Sequence, residues 1–215
     1  GNSGHPKRHV IKFLALKFCF LGIVFAISDP VFGEEETLVP LKKGDIMVCL
    51  DLSSSMDVKD IENASRLESG RNLLKSLVNK LSGQRIGLCI FAQNAIVQLP
   101  LTRDYEQFKL MVSDANTNHF SNQGTNVGGA LMKAMLSFEK KKAAHSILLI
   151  TDGEDHEASL NTIVDSLSLS NIKLLSIAVG TESGGPILRS DKKSMRLDAA
   201  GNIILSKVDL SLVKR

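Results

Sequence analysis

A short polar segment directly after an apolar run holds the residues of this chain that are best suited to chemistry. In Asp51-Leu52-Ser53-Ser54-Ser55 the carboxylate and two hydroxyls alternate. Asp51, Ser53 and Ser55 can therefore point towards one place above the end of the preceding strand. Their oxygen atoms suit a hard divalent cation. Alone the pattern is weak, because Asp and Ser also favour turns and helix caps.

Two further polar positions arrive in order along the chain. Thr125 lies in the glycine-rich loop 123–129 that opens a predicted helix, and Asp152 follows the apolar run 147–151. All the donors are oxygens, which select Mg²⁺ over Zn²⁺ and leave Mn²⁺ and Ca²⁺ as alternatives. Mg²⁺ prefers a near-octahedral shell and keeps several waters. The five residues together therefore leave at least one position for an outside ligand.

The elements that must position these residues alternate between strand and helix from residue 44 onward, which predicts an α/β fold with a mostly parallel sheet covered on both faces. The predicted strands are 45–50, 86–92, 95–99, 146–151 and 172–179. One helix follows a capping box at 65–68, and another is expected to reach the lysines at 140–142. Residues 197–206 predict a hairpin. Since open sheets bind ligands at the carboxyl ends of their strands, the three polar clusters should meet there.

The five positions resemble the metal-ion-dependent adhesion site of von Willebrand factor A-type (VWA) and integrin inserted domains. This resemblance implies a three-layer, Rossmann-like VWA fold. It implies that Ser53, Ser55 and Thr125 bind the metal directly, while Asp51 and Asp152 act largely in the outer shell. It further implies that a carboxylate of an acidic protein partner completes the metal shell, so that the chain is a binding module and not an enzyme.

Several flanking segments narrow the resemblance to the bacterial aerotolerance-operon (Bat, BatB-like) membrane proteins. These segments are 100–105, 123–131, 151–157, 180–181 and 185–187, and the likeness extends over about residues 10 to 210. It implies other membrane VWA proteins, or an AAA+ ATPase of the MoxR type, as partners. The family's earlier N-terminal helix and its C-terminal transmembrane helix are absent from this sequence, which suggests a fragment or a divergent member.

The N-terminal region predicts a membrane attachment. A basic flank at 1–9 precedes a hydrophobic segment at 10–32, a linker at 33–43 and the VWA domain at 44–215. If Lys12 and Lys17 extend to the interface, the apolar segment reaches the ~20 residues that a membrane span needs. A signal-type segment and a buried core helix are the alternatives. The basic flank favours a single anchor in the inner membrane and an exported VWA domain.

Enzymatic alternatives use the same residues differently. A hydrolase would take one of the serines at 53–55 as nucleophile and His119, His145 or His156 as base, yet no G-x-S-x-G elbow surrounds the serines. A zincin helix is incomplete, because Leu160 stands where a second His would follow His156. A phosphoryl-transfer enzyme would use the carboxylate at 51, but no P-loop lysine or second catalytic acid follows.

Other readings concern the neighbourhood of the site. The metal site could be vestigial, although all five positions are intact. Asp57 and Asp60 either form a neighbouring cation site or solvate the turn, and we favour solvation. A formal net charge of +3, dispersed basic residues, one Tyr and no Trp exclude a nucleic-acid surface. The three cysteines at 19, 49 and 89 are expected to be small buried hydrophobes.

Overall fold

A computed structural model of the chain describes residues 14, 17, 44–62, 64–139, 144–153, 160–187, 194–197 and 202–208. Leu14 and Lys17 are helical and exposed. The rest of the predicted membrane segment and the whole linker at 33–43 lie outside the described residues. Within the part that the structure describes, no helix combines the length and apolar character needed to cross a bilayer.

A five-stranded sheet forms the centre of the domain. Its strands are β1 (Asp45–Asp51), β2 (Arg85–Phe91), β3 (Ala95–Thr102), β4 (His145–Thr151) and β5 (Ile172–Ala178). The spatial order is β3-β2-β1-β4-β5. Only β3 runs antiparallel to its neighbour, so the sheet is mostly parallel as predicted. The central strands are continuous apolar runs because helices cover both of their faces.

Among the described residues from 44 onward, four α-helices make the outer layers. They are α1 (Arg66–Val78), α2 (Tyr105–Asp114), α3 (Val127–Leu136) and α4 (Leu160–Leu169). Successive side chains of β1 enter opposite faces of the sheet, where they join two separate buried clusters. The α1 and α2 cluster contains Val48, Leu50, Leu74 and Phe108. The α3 and α4 cluster contains Met47, Cys49, Leu131 and Ile163. The three-layer prediction is therefore confirmed.

Side chains at the helix starts explain where the chain leaves the sheet. The backbone N–H of Glu68 donates to Ser65 Oγ at 3.1 Å, which is one half of the predicted capping box. Asp104 caps α2 through the N–H of Gln107, and Asn126 caps α3 through the N–H of Gly129. Each cap satisfies an amide that the first helical turn leaves without a partner.

Two boundaries differ from the sequence prediction. Helix α3 ends at Leu136, with Ser137 at its C-cap, so it stops before the lysines at 140–142, which lie outside the described residues. Strand β3 continues to Thr102 instead of ending at residue 99. Position 100 is a proline, which an edge strand tolerates because its missing N–H need not face a partner.

Short strands follow β5 near the C-terminus. Strand β6 (Gly185–Pro186) pairs antiparallel with β7 (Leu205–Ser206), and Leu197 forms an antiparallel bridge to Ile203. That bridge is the pairing that a hairpin at 197–206 requires, although its predicted turn residue Gly201 lies outside the described residues. Cys49 and Cys89 are buried and free, as expected. Cys19 lies outside the described residues.

Candidate functional site

The adjacent ends of β1 and β4 bring two carboxylates together. Leu50 pairs with Ile150 in the parallel register, so Asp51 at the end of β1 and Asp152 just after β4 leave the sheet side by side. Both side chains are fully buried. Nothing in the apolar strands requires two acids here, and burying two negative charges is unfavourable unless they are compensated.

The segment after β1 turns both serines towards this point. The backbone N–H of Ser53 donates to Asp51 Oδ1 at 2.8 Å, which closes a tight turn at the strand end. A 3₁₀ turn, Ser54–Asp57, follows directly. Its geometry places Ser53 Oγ and Ser55 Oγ 3.0 Å apart, and both residues are buried. The alternation noted in the sequence therefore gathers three oxygen-bearing side chains.

Thr125 reaches the same edge from the loop that precedes α3. The backbone N–H of Asn126 donates to the carbonyl of Ala92 at 2.9 Å. Ala92 directly follows β2, which is the neighbour of β1, so this bond fixes the loop at the carboxyl end of the sheet. Thr125 is buried. Gly124 before it has a φ of +145°, a conformation that side chains other than glycine rarely adopt.

The electrostatics of the site favour a positive charge beside Asp51. Burial, together with the neighbouring Asp152, raises the pKa of Asp51 to about 7, against the lowering effect of hydrogen bonds from Thr151 and Ser53. The Thr151 hydroxyl donates to Asp51 Oδ2 at 2.7 Å. A divalent cation between the hydroxyls and the two acids would relieve this repulsion. The residues present therefore fit such an ion.

The kind of donor decides which ions fit. Among the described residues, no group of three or more His, Cys, Asp and Glu side chains could hold a metal. The candidate donors are instead hydroxyls supplemented by carboxylates. Such oxygens favour Mg²⁺, Mn²⁺ or Ca²⁺ over a thiolate-loving or imidazole-loving ion.

No local pattern marks Arg66 as part of the site, yet it is the largest fully buried side chain of the described residues. Its Nη1 donates to Asp152 Oδ2 at 2.8 Å and to Ser206 Oγ at 2.7 Å. Its Nη2 donates to Asp60 Oδ2 at 2.7 Å. A buried arginine beside the site therefore joins a strand-end acid, the turn after β1 and strand β7.

The structure corrects the expectation for Asp60. The side chain is only 4% exposed and is paired with Arg66, so it neither solvates the turn nor stands ready for a second cation. Burial would raise the pKa of Asp60, but hydrogen bonds from Arg66 and Thr181 hold it below its ordinary value. Asp57 accepts a 2.6 Å hydrogen bond from the Thr117 hydroxyl. The Arg66 guanidinium supplies the positive charge that a cation bound at Asp60 would have supplied.

Comparison with known proteins shows what this arrangement is similar to. The model of the von Willebrand factor type A domain family matches residues 46–154. A solved structure of an aerotolerance-related membrane protein from Bacteroides fragilis is 32% identical, with a TM-score of 0.74 over 79% of this chain and 84% of that one. BatB from Bacteroides thetaiotaomicron is 31% identical, with a TM-score of 0.75 over 80% and 83%.

The chain belongs to the von Willebrand factor type A family, in its BatB-like branch. An uncharacterized protein of Borreliella burgdorferi is 26% identical over 179 residues, which cover 80% of this chain. The chain spans about half (52%) of the length of that curated relative. A mussel byssus protein, solved with a zinc-occupied MIDAS motif, is 21% identical at a TM-score of 0.55, over 65% of this chain and 38% of that one, which shows the fold alone.

The two histidines that the structure describes, His119 and His145, take part in contacts that support the fold. His119 ends a short 3₁₀ helix, and its Nδ1 accepts the backbone N–H of Asn116. His145 lies at the start of β4, which is the opposite end of the sheet from the serines, and its ring stacks on Phe138 with 4.5 Å between centroids. His156 lies outside the described residues. The nucleophile and base pairing that a hydrolase needs is therefore not formed by either described histidine.

Proposed function

We propose that this VWA domain binds a divalent cation, foremost Mg²⁺, at Ser53, Ser55, Thr125, Asp51 and Asp152, and uses it to bind the carboxylate of a protein partner. The observation that carries the proposal is the pair of buried acids, Asp51 and Asp152, beside two serine hydroxyls 3.0 Å apart. Neutralising that pair by a cation would offset the cost of burying it.

The residues divide the work according to their contacts. Ser53, Ser55 and Thr125 offer neutral oxygens as direct ligands. Asp51 already accepts bonds from the Ser53 amide and the Thr151 hydroxyl, and Asp152 accepts one from Arg66, so both acids suit water-mediated roles. With neutral direct ligands the bound ion remains strongly electrophilic, which favours an anionic oxygen from outside. Such binding requires no general base, so we propose a binding module without turnover.

Thermal unfolding of the full chain in Mg²⁺ and in EDTA tests the cation site. We expect Mg²⁺ to raise Tm, by the stabilisation that any ligand of the folded state confers. Asp51→Asn and Thr125→Val should lose the increase, while Thr162→Val, an exposed threonine on α4, should keep it. A parent chain whose Tm is the same in Mg²⁺ and EDTA would refute the proposal.

Water-proton relaxation of the Mn²⁺-loaded chain tests the open coordination position. Acetate should reduce the relaxation enhancement, because a carboxylate displaces water from the ion. Acetamide has nearly the same shape without the charge and should have little effect. Equal effects of both probes would contradict selection of a carboxylate. Turnover of p-nitrophenyl phosphate that requires the metal would contradict the absence of catalysis.

The membrane setting is part of the proposal. We propose that the segment at 10–32 anchors the chain in the inner membrane and that the VWA domain is exported. Support comes from the apolar run in the sequence and from the relative in Bacteroides fragilis, which is described as a membrane protein. Membrane fractionation and protease accessibility in intact cells test it. Other membrane VWA proteins or a MoxR-type AAA+ ATPase remain the expected partners, to be tested by copurification in Mg²⁺ against EDTA.

A further inference from the structure

Arg66 is the first residue of α1, yet its whole side chain is buried. Its guanidinium lies between two acids: Nη1 bonds to Asp152 Oδ2 at 2.8 Å, while Nε and Nη2 bond to Asp60 Oδ1 and Oδ2 at 3.1 and 2.7 Å. We propose that Arg66 is a positioning residue that sets the charge of the cation site and thereby its preference for an anionic partner. This inference rests on the proposed function.

Arg66 holds the Asp152 carboxylate in one orientation. One carboxylate oxygen, Oδ2, is committed to the guanidinium, so the acid cannot offer both oxygens to a cation. Nη1 also donates to Ser206 Oγ at 2.7 Å, and Nη2 donates to the Ser206 carbonyl at 3.1 Å. Because strand β7 holds Ser206, the guanidinium has a fixed place in the fold. The guanidinium therefore fixes the orientation of the Asp152 carboxylate through Oδ2.

Arg66 also changes the total charge around the cation site. Asp51 and Asp152 alone would neutralise a divalent cation, and an approaching carboxylate would then meet a neutral site. The guanidinium adds one positive charge next to Asp152, and its balancing acid, Asp60, contacts the far side of the guanidinium. The loaded site therefore has a more positive local charge than the two acids alone would leave around the ion. Arg66 therefore has two opposite effects: it weakens cation binding and strengthens carboxylate binding.

Isothermal titration with Mg²⁺ alone at pH 8.5 measures the effect on cation binding. Arg66→Gln should tighten Mg²⁺ binding, on the order of tenfold for the loss of one nearby positive charge. Asp60→Asn should weaken it by a comparable factor, because the arginine then has one counter-charge fewer. Lys80→Gln removes a positive charge from an exposed side chain beyond the other end of α1 and should leave Mg²⁺ affinity within about twofold of the parent.

Acetate displacement of water from the Mn²⁺-loaded chain measures the effect on carboxylate binding. We expect the opposite order: weaker acetate binding in Arg66→Gln and tighter binding in Asp60→Asn. An arginine that only supported the fold would weaken Mg²⁺ binding in both variants, so changes in the same direction would overturn the inference.

If Arg66→Gln fails to fold, Asp60→Asn and Arg66→Lys decide the matter. The lysine retains the charge without the planar fork, so it should keep Mg²⁺ affinity near that of the parent if charge is what matters. Tighter or unchanged Mg²⁺ binding in Asp60→Asn would refute the inference. A parent chain that binds no Mg²⁺ overturns the proposed function and this inference with it, whereas a parent that binds and variants that bind equally overturn the inference alone.

Discussion

Replacing Asp51 by Asn should stabilise the metal-free protein, although Asp51 lies at the centre of the site. Burial and the neighbouring Asp152 raise the pKa of this carboxyl from 3.8 to about 7. The folded state therefore holds a proton that the unfolded state has released, and stability falls as pH rises from about 3.8 to about 7. At 1.36 kcal/mol per pKa unit the cost at pH 8 is about 4 kcal/mol, and at pH 5 it is about 2 kcal/mol.

Asparagine keeps the shape and removes the charge. Its Oδ1 can accept the Ser53 amide, and its Nδ2 can donate to the Thr151 hydroxyl, which now donates to Asp51 at 2.7 Å. That hydroxyl loses its acceptor, at a cost of about 1 kcal/mol. The net expectation is a gain of about 3 kcal/mol in the free energy of unfolding at pH 8, from the two estimates above.

Urea unfolding of the full chain in EDTA, at pH 8 and pH 5, measures this gain. The difference between Asp51→Asn and the parent should be at least 1 kcal/mol smaller at pH 5 than at pH 8, because the parent then retains most of its proton. Asp114→Asn is the matched control, since that carboxylate is 71% exposed and should show no comparable gain. A variant that is less stable than the parent at pH 8, or a difference that does not shrink at pH 5, would refute the reasoning.

Three further predictions concern the pH dependence of Mg²⁺ binding, the packing of α1 and the backbone at Gly124. The Mg²⁺ Kd measured by calorimetry should be about tenfold weaker at pH 6 than at pH 8, because the proton held by Asp51 at its pKa of about 7 must leave first; a pH-independent Kd would contradict this. Leu74→Ala should cost about 2–5 kcal/mol in urea unfolding, since Leu74 is fully buried. Leu73→Ala, at a 40% exposed neighbour, should cost less than about 1 kcal/mol, and equal losses would argue against the packing described. Gly124→Ala should cost about 1–3 kcal/mol of backbone strain at φ +145° and weaken Mg²⁺ binding through Thr125, and an unchanged Tm in both EDTA and Mg²⁺ would disprove the strain.

The sheet and the strand-end positions of the site could be predicted from local pattern. Buried parallel strands appear as uninterrupted apolar runs. Asp51 directly follows the run at 46–50, and Asp152 follows the run at 147–150 after Thr151. Strand ends of a parallel sheet meet at one edge, so Asp51 and Asp152 could be placed together without knowing any contact. The caps at Ser65 and Asp104 were equally local, because they involve residues three positions apart.

The details that depend on distant contacts were not predictable. An arginine at the start of a helix is usually solvated, and its burial here depends on partners 86 and 140 residues away in the chain. The ion pair with Arg66 also keeps Asp60 from solvating the turn, and the sequence of that turn does not indicate the pair. Helix α3 ends at Leu136 even though helix-forming residues continue, which local propensity does not reveal.

Residue types and local patterns are enough to predict the chemistry of the donors, their order along the chain and the edge of the sheet that they share. Residue type, alternation and apolar runs are local properties, so they can be recognised without knowledge of tertiary contacts. The way in which the buried charges are balanced becomes visible in the folded chain. That balance depends on which side chains from separate elements share one dry interior, and on Arg66 lying between Asp152 and Asp60 within it.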